Sequence, residues 1–301
     1  MTDDRERGAV AVLTAVFAVV MVAMAALVVD IGALHDERRQ LQNGADAAAL
    51  AVAHGCALGG ACDRDLAPGL AAGNPRDEAA MVDSVDVDLT ARKVTVSTST
   101  EGRDGGRILP FAFAQVVSGS RGKTVHARAT ATWSALRRAP ALPLAVSKCD
   151  LATFRTTKVD TVMLFAKNPA CEGSTDAPGA FGWLDTGCPD DPARKPIEVG
   201  SRVPGDPGKS DDKDCLDSSK GKDVLVPVYD GVTDNGRNTT FDIVGFAALH
   251  LTGWRFPGDA STPAPCGASA SCISGRFIDF VTTGTPGPGA LFGVSTVHLV
   301  S

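Results

Sequence analysis

The chain has 301 residues, 44% of them hydrophobic and 21% charged, with a formal net charge of −6. That balance excludes a disordered chain and leaves room for one large domain or two small ones plus an anchor. No long basic run occurs, and one tyrosine with three tryptophans offers little for a stacking platform, so nucleic acid is not expected as a partner.

The first predicted element is an anchor. Ala9–Val29 is apolar throughout except for Thr14, and Asp30 closes it. At about 1.5 Å rise per residue such a run spans the hydrocarbon core of a bilayer, about 30 Å. Residues 1–8 are read as a cytoplasmic tail carrying Arg5 and Arg7. Because Arg38 and Arg39 lie on the other side, loop charge orients the span only weakly. A cleaved signal peptide, cut after Ala25 in "AMA", is the competing reading. The apolar run continues through Leu27, Val28 and Val29 without a helix breaker, which favours the uncleaved anchor.

Beyond the membrane edge the helix is expected to continue. Ile31, Leu34, Leu41, Ala45, Ala48 and Val52 recur at steps of three and four, with Arg38 as the one departure. The register extends back through Phe17, Val20, Met24 and Leu27, so one continuous helix with a single packing seam is predicted, with Gly55 as its stop. Asp30, Asp36, Glu37, Gln40 and Gln42 are available for its solvated side. The commoner fate of such a stripe is packing on the chain's own strands. The sharper one is a pilin-like helix, half in the membrane and half under a globular head, able to self-associate in an assembly.

The stretch "RERGAVAVLTAVFAVVMVAMAALVVDIGALHDERRQLQNGADAAALAVA" resembles the N-terminal region of the TadE/TadG-like family of tight-adherence (Flp-type) pilus-assembly proteins. The resemblance is carried by Arg7-Gly8-Ala9, by Val29-Asp30, by Leu41-Gln42-Asn43 and by the run Ala45-Asp46-Ala47-Ala48-Ala49-Leu50-Ala51. It implies a bitopic envelope protein linked to pilus biogenesis; "GAFGWLD" (Gly179–Asp185) and "VGFAALHLTG" (Val244–Gly253) are similar to segments of actinobacterial envelope proteins with this same anchor, so the chain resembles an actinobacterial-type member with an extra C-terminal domain. Gly8 is followed by "AVAVL", so Leu13 stands where processed pilin-like members have glutamate. No prepilin-peptidase cleavage is expected, and the closer resemblance is to TadG-like members. The Asp-x-Ser-x-Ser metal motif that some of those carry is missing; Asp217-Ser218-Ser219 has the wrong spacing.

Residues 30–134 are read as this helix plus a small pilin-like α+β head. Val85 and Val87 alternate with acidic residues, Val94 and Val96 with Thr95 and Ser97, and "TARK" between them suits a hairpin. Ile108–Gly119 reads as a short apolar helix with Pro110 in its first turn. Val125, Ala127, Ala129, Ala131 and Trp133 mark a half-buried strand. Residues 135–146, with their prolines, are expected to be a linker.

Residues 147–301 predict a mainly β domain, with strands at Val159–Ala166, Val224–Tyr229, Phe241–Thr252, Arg276–Thr282 and Leu291–Leu299. Eight cysteines are present: Cys56, Cys62, Cys149, Cys171, Cys188, Cys215, Cys266 and Cys272. None forms Cys-x-x-Cys, zinc sites usually show tighter spacing with nearby histidine, and His54 is the only histidine close to a cysteine pair. Disulfides are the favoured reading, which places this bulk outside the cytoplasm. Two local loops, Cys56/Cys62 and Cys266/Cys272, are expected, with the other four paired among themselves. The fold class is therefore α+β: a long transmembrane and amphipathic helix, a small head and a disulfide-stapled extracellular β domain.

Catalytic, cofactor and metal residues are not assigned. The acidic run Gly208–Asp223 lacks the glycine and terminal glutamate of a calcium loop and carries four lysines. The histidines are scattered; His250 and His298 on adjacent strands would make only a weak pair. Asp185, Asp190 and Asp191 fall in a proline-marked loop. The expected role is structural, in assembly of an Flp-type pilus or related secretion apparatus, with the membrane and other envelope proteins as partners. A cell-surface adhesion module on the same anchor is the alternative, and an enzyme is not expected.

Overall fold

The structure, a computed structural model, describes residues 3–60, 62–73, 80–101, 106–115, 119–156, 159–164, 171, 181–188, 196–206, 213–233 and 239–300. The chain divides into two compact units: one of residues 1–53, 62–132 and 299–301, the other of residues 54–61 and 133–298.

The first unit is built on one helix, α1 (Asp3–Ala57), 55 residues without interruption. It is followed by α2 (Leu66–Ala72), β1 (Ala80–Asp88), β2 (Lys93–Thr100), β3 (Leu109–Pro110), β4 (Gly122–Lys123) and β5 (His126–Leu136), of which residues 126–132 belong here. The predicted hairpin is present: β1 and β2 pair antiparallel from Ala80↔Thr100 to Asp88↔Lys93. Its turn is set by the Asp88 carboxylate, which accepts the Ala91 N–H at 2.8 Å, and by Arg92 in the left-handed region at φ 51°. On its other edge β2 pairs with β5, with Val94↔Ala131, Val96↔Ala129 and Thr98↔Ala127. These six residues share one face and are all buried. The expected helix over 108–119 is not the main feature there. Leu109 and Pro110 form a strand against Gly122 and Lys123, and among the described residues only Ala114 and Gln115 are helical.

The second unit contains β6 (Arg138–Ala139), β7 (Leu144–Ser147), α3 (Lys148–Phe154), β8 (Thr161–Leu164), β9 (Phe181–Trp183), β10 (Ile197–Glu198), β11 (Arg202–Pro204) and α4 (Lys213–Ser219). Then follow β12 (Asp223–Thr233), β13 (Thr240–Phe256), β14 (Asp259–Ala260), β15 (Cys272–Ile278), β16 (Phe280–Val281), β17 (Pro286–Gly287) and β18 (Val294–Val300), of which residues 294–298 belong here. Its main sheet runs β8-β15-β13-β12-β7-β9, with β11 and β14 also paired to β13. All its pairs are antiparallel except β12 with β7, at Val228↔Val146 and Tyr229↔Ser147.

Both faces of this sheet are covered. Val226, Val228, Ala247, Leu249, Leu251, Trp254 and Ile273 join Leu142, Leu144, Val146 and Leu151 in one core. Tyr229, Ile243, Phe246 and Ala248 join Leu136, Ala139, Ala141, Ala145 and Leu184 in the other. Burial on two faces explains why "VGFAALHL" reads as a continuous apolar run instead of an alternation. It also explains residues 135–146, expected as a linker: Ala139, Ala141, Leu142, Leu144, Ala145 and Val146 are all core residues. Pro140 and Pro143 flank the buried segment Ala141–Leu142, ahead of the short strand β7, whose Leu144–Val146 pair with β9.

Candidate membrane and assembly helix

The apolar part of α1 is not used as core. Leu13, Phe17, Val22 and Val28 are exposed by 66–70%, and α1 is a helix long and apolar enough to cross a membrane. Its one polar side chain inside the run is satisfied within the helix, since the Thr14 hydroxyl donates to the Val10 carbonyl at 2.8 Å.

Where the run ends, the helix meets the head. Asp30 was expected on the solvated side, yet it is 4% exposed. One of its carboxylate oxygens accepts the Ala112 N–H at 2.9 Å, and the other accepts those of Phe113, at 3.0 Å, and Ala114. Burial alone would push this carboxyl up; the three amide donors outweigh it and hold it below the usual aspartate range. Glu37 is likewise buried, against the expectation for its face.

Further along, the helix steps down the edge of the sheet. Ile31, Leu34, His35 and Arg38 face Lys123–His126 across a cleft of about 320 Å³. Next comes a cleft of about 430 Å³ between Arg38 and Gln42 on the helix and Asp83, Ser97, His126 and Arg128 on the strands. Asp83 has His126 Nδ1 at 3.6 Å and an Arg107 nitrogen at 3.3 Å. The Thr98 hydroxyl donates to the Leu41 carbonyl at 3.2 Å, and Gln42 donates to the Arg128 carbonyl at 3.1 Å. Leu41 sits in a small core with Ala80 and Ala127.

The predicted seam therefore divides. Leu41, Ala45, Ala48 and Val52 are fully buried, Leu34 is half-buried and Ile31 is 46% exposed. The four distal residues are covered by this chain itself, so they offer no surface to a second copy. Ala49 and Ala53 are also fully buried; adding them widens the stripe beyond the narrow seam of a two-helix contact. Gly44 shows how close the packing is, because a Cβ there would stand 2.7 Å from the Ala71 carbonyl oxygen of α2.

Every cysteine is in a disulfide. Cys149 pairs with Cys171, Cys188 with Cys215 and Cys266 with Cys272; Cys56 and Cys62, the other two, are also disulfide-bonded. The two longer bridges settle the pairing that the sequence left open. Other candidates remain apart. His250 lies on β13, with Nδ1 at 2.6 Å from Asp223, whereas His298 lies on β18 in a different sheet. Asp185 is in a turn, and Asp190 and Asp191 fall outside the described residues, as does 208–212 of the acidic run. Among the described residues no group of three His, Cys, Asp or Glu could hold a metal ion.

Neither the curated proteins nor the solved structures contain a match to this chain. Residues 8–55, the segment that forms almost all of α1, match the family model described as putative Flp pilus-assembly TadE/G-like, the family that the N-terminal sequence resembles.

Proposed function

We propose that the chain is a single-pass membrane protein with a structural role in the assembly of an Flp-type pilus or a related secretion apparatus. The observation that carries this reading is the division of α1, within the family-matched segment, into an exposed apolar half and a half built into the head. The short tail lies in the cytoplasm, and the chain beyond the span, from Asp30 on, lies outside it. The disulfides support that orientation, because they persist in oxidising compartments. Contacts with other envelope components fall on the apolar half of α1 and on the head surface, since the distal seam is occupied. The role is structural and not enzymatic.

A cell-surface binding module on the same anchor is the second reading. It is favoured by the second unit, which has its own two-sided core and at least three disulfides.

Electron microscopy of a deletion strain and its complemented form tests the first reading. Loss of thin pili, restored by the intact gene but not by Phe17→Ala with Met24→Ala at unchanged membrane level, supports assembly through the exposed helix. Unchanged pili in the deletion strain sink it and favour the binding module.

A further inference from the structure

The loop held by Asp30 has a chemistry that the assembly role does not use. Asp30 directly follows the last apolar residue of the run, so the amides bound to it lie at the plane where the run ends. Beside them Phe113 is 48% exposed, whereas Ile108 lies farther out, next to Arg107, whose guanidinium meets Asp83. On the paired strand stand cations: β3 pairs Leu109 with Lys123, and the Phe111 N–H donates to the Arg121 carbonyl at 3.1 Å. Arg121 and Lys123 are exposed, and Lys123 shares a cleft with Ile31 and Leu34, within about one helical turn beyond Asp30. Arg107 is engaged by Asp83 and is not counted with them.

We propose that this hairpin is a second membrane contact, with Phe113 set into the acyl boundary and Arg121 and Lys123 on the phosphates of anionic headgroups. A partner protein could cover an apolar patch anywhere on the head. Phe113 instead sits at the exit of the spanning helix, with the cations on the strand that leads away from it. Two attachments, the helix and the hairpin, fix the tilt and rotation of the first unit against the bilayer, which a single helix does not do. The proposal rests on Ala9–Val29 spanning the membrane.

The test uses the full chain in vesicles of equal parts phosphatidylcholine and phosphatidylglycerol, with bromine placed at defined depths on the acyl chains. Phe113→Trp and, separately, Phe17→Trp add one fluorophore each, read as the difference from the wild-type emission. Bromines near the headgroup are expected to remove about half of the Phe113→Trp increment, as for a ring in the interfacial layer. Deep bromines should do the same to the Phe17→Trp increment. Adding Arg121→Glu and Lys123→Glu to Phe113→Trp is expected to lower the shallow quenching about twofold; equal quenching overturns the assignment of the cations. Quenching at position 17 but none at 113 overturns the membrane contact and leaves the hairpin to a protein partner. Quenching at neither position overturns the spanning reading itself.

Discussion

The burial ladder along α1 makes a quantitative claim that one pair of substitutions can break. Leu41 is fully buried in contact with the sheet side of the first unit, whereas Ile31, at the membrane end of the same stripe, is 46% exposed. Leu41→Ala removes three carbon groups' worth of burial, about 2.4 kcal/mol at ~0.8 each, and the cavity left behind brings the cost to about 3 kcal/mol. Alanine is the better helix former, so helix propensity cannot be the source of the loss. Ile31→Ala should cost less than about 1 kcal/mol. Hydrogen exchange of the β2 amides, Lys93–Thr100, in the full-length protein in detergent measures the difference. Opening of β2 should accelerate on the order of a hundredfold in Leu41→Ala, at about 1.4 kcal/mol per decade, and hardly change in Ile31→Ala. Equal acceleration in the two variants would refute the division of the seam into a covered and an open part.

Other outcomes follow from the same geometry. Gly44→Val drives a side chain into the Ala71 carbonyl oxygen, so α2 should detach or shift at a cost of about 1–3 kcal/mol, read as faster exchange over residues 66–72. Asp30 has a depressed pKa, so its contribution is present above the unfolded value and lost as pH falls through the folded one. Exchange at Ala112–Ala114, corrected for its intrinsic pH dependence, should stay slow from neutrality down through the ordinary aspartate range and quicken only below it. Asp30→Asn should be fast across that whole range; a wild-type transition above the ordinary range would contradict the assignment. Replacing the Cys149–Cys171 pair by serine releases a constraint over 22 residues and should cost about 3 kcal/mol, against about 2 for Cys266–Cys272 with 6. Urea midpoints followed by the emission of buried Trp254 give that order, and a larger loss for the shorter loop would reverse it. Thiol labelling of the denatured, unreduced protein should find no reactive cysteine.

The elements with a strong period were legible in the sequence. The 3–4 spacing from Phe17 to Val52 predicted one helix, and alternation at Val94, Val96 and Ala127–Trp133 predicted the strands that pair in the structure. Two kinds of feature were hidden. Residues 141–146 carry apolar side chains on both faces and lie next to prolines, so no period distinguishes a buried strand from a linker there. The partners of Asp30 are main-chain amides 82–84 residues away, and an amide has no side-chain signature to find. Hence Asp30 and Glu37 looked like surface residues on a polar face. The disulfide count followed from an even number of dispersed cysteines. The choice among the four central ones depended on where β7, α3 and α4 carry Cys149 and Cys215, which spacing does not encode.

The main sheet also has consequences for how this chain is made. Strand β8 has its partner in β15, and the ion pair that flanks that edge joins Asp160 to Arg276, 116 residues apart. At synthesis rates of about 5–20 residues per second, roughly ten seconds separate the appearance of the two strands. During that interval β8 is an open edge, able to pair with any extended chain nearby. The nascent protein is therefore expected to need shielding until about its last tenth is made, and a cell that overproduces it without matching chaperone capacity should accumulate aggregates seeded from residues 161–164.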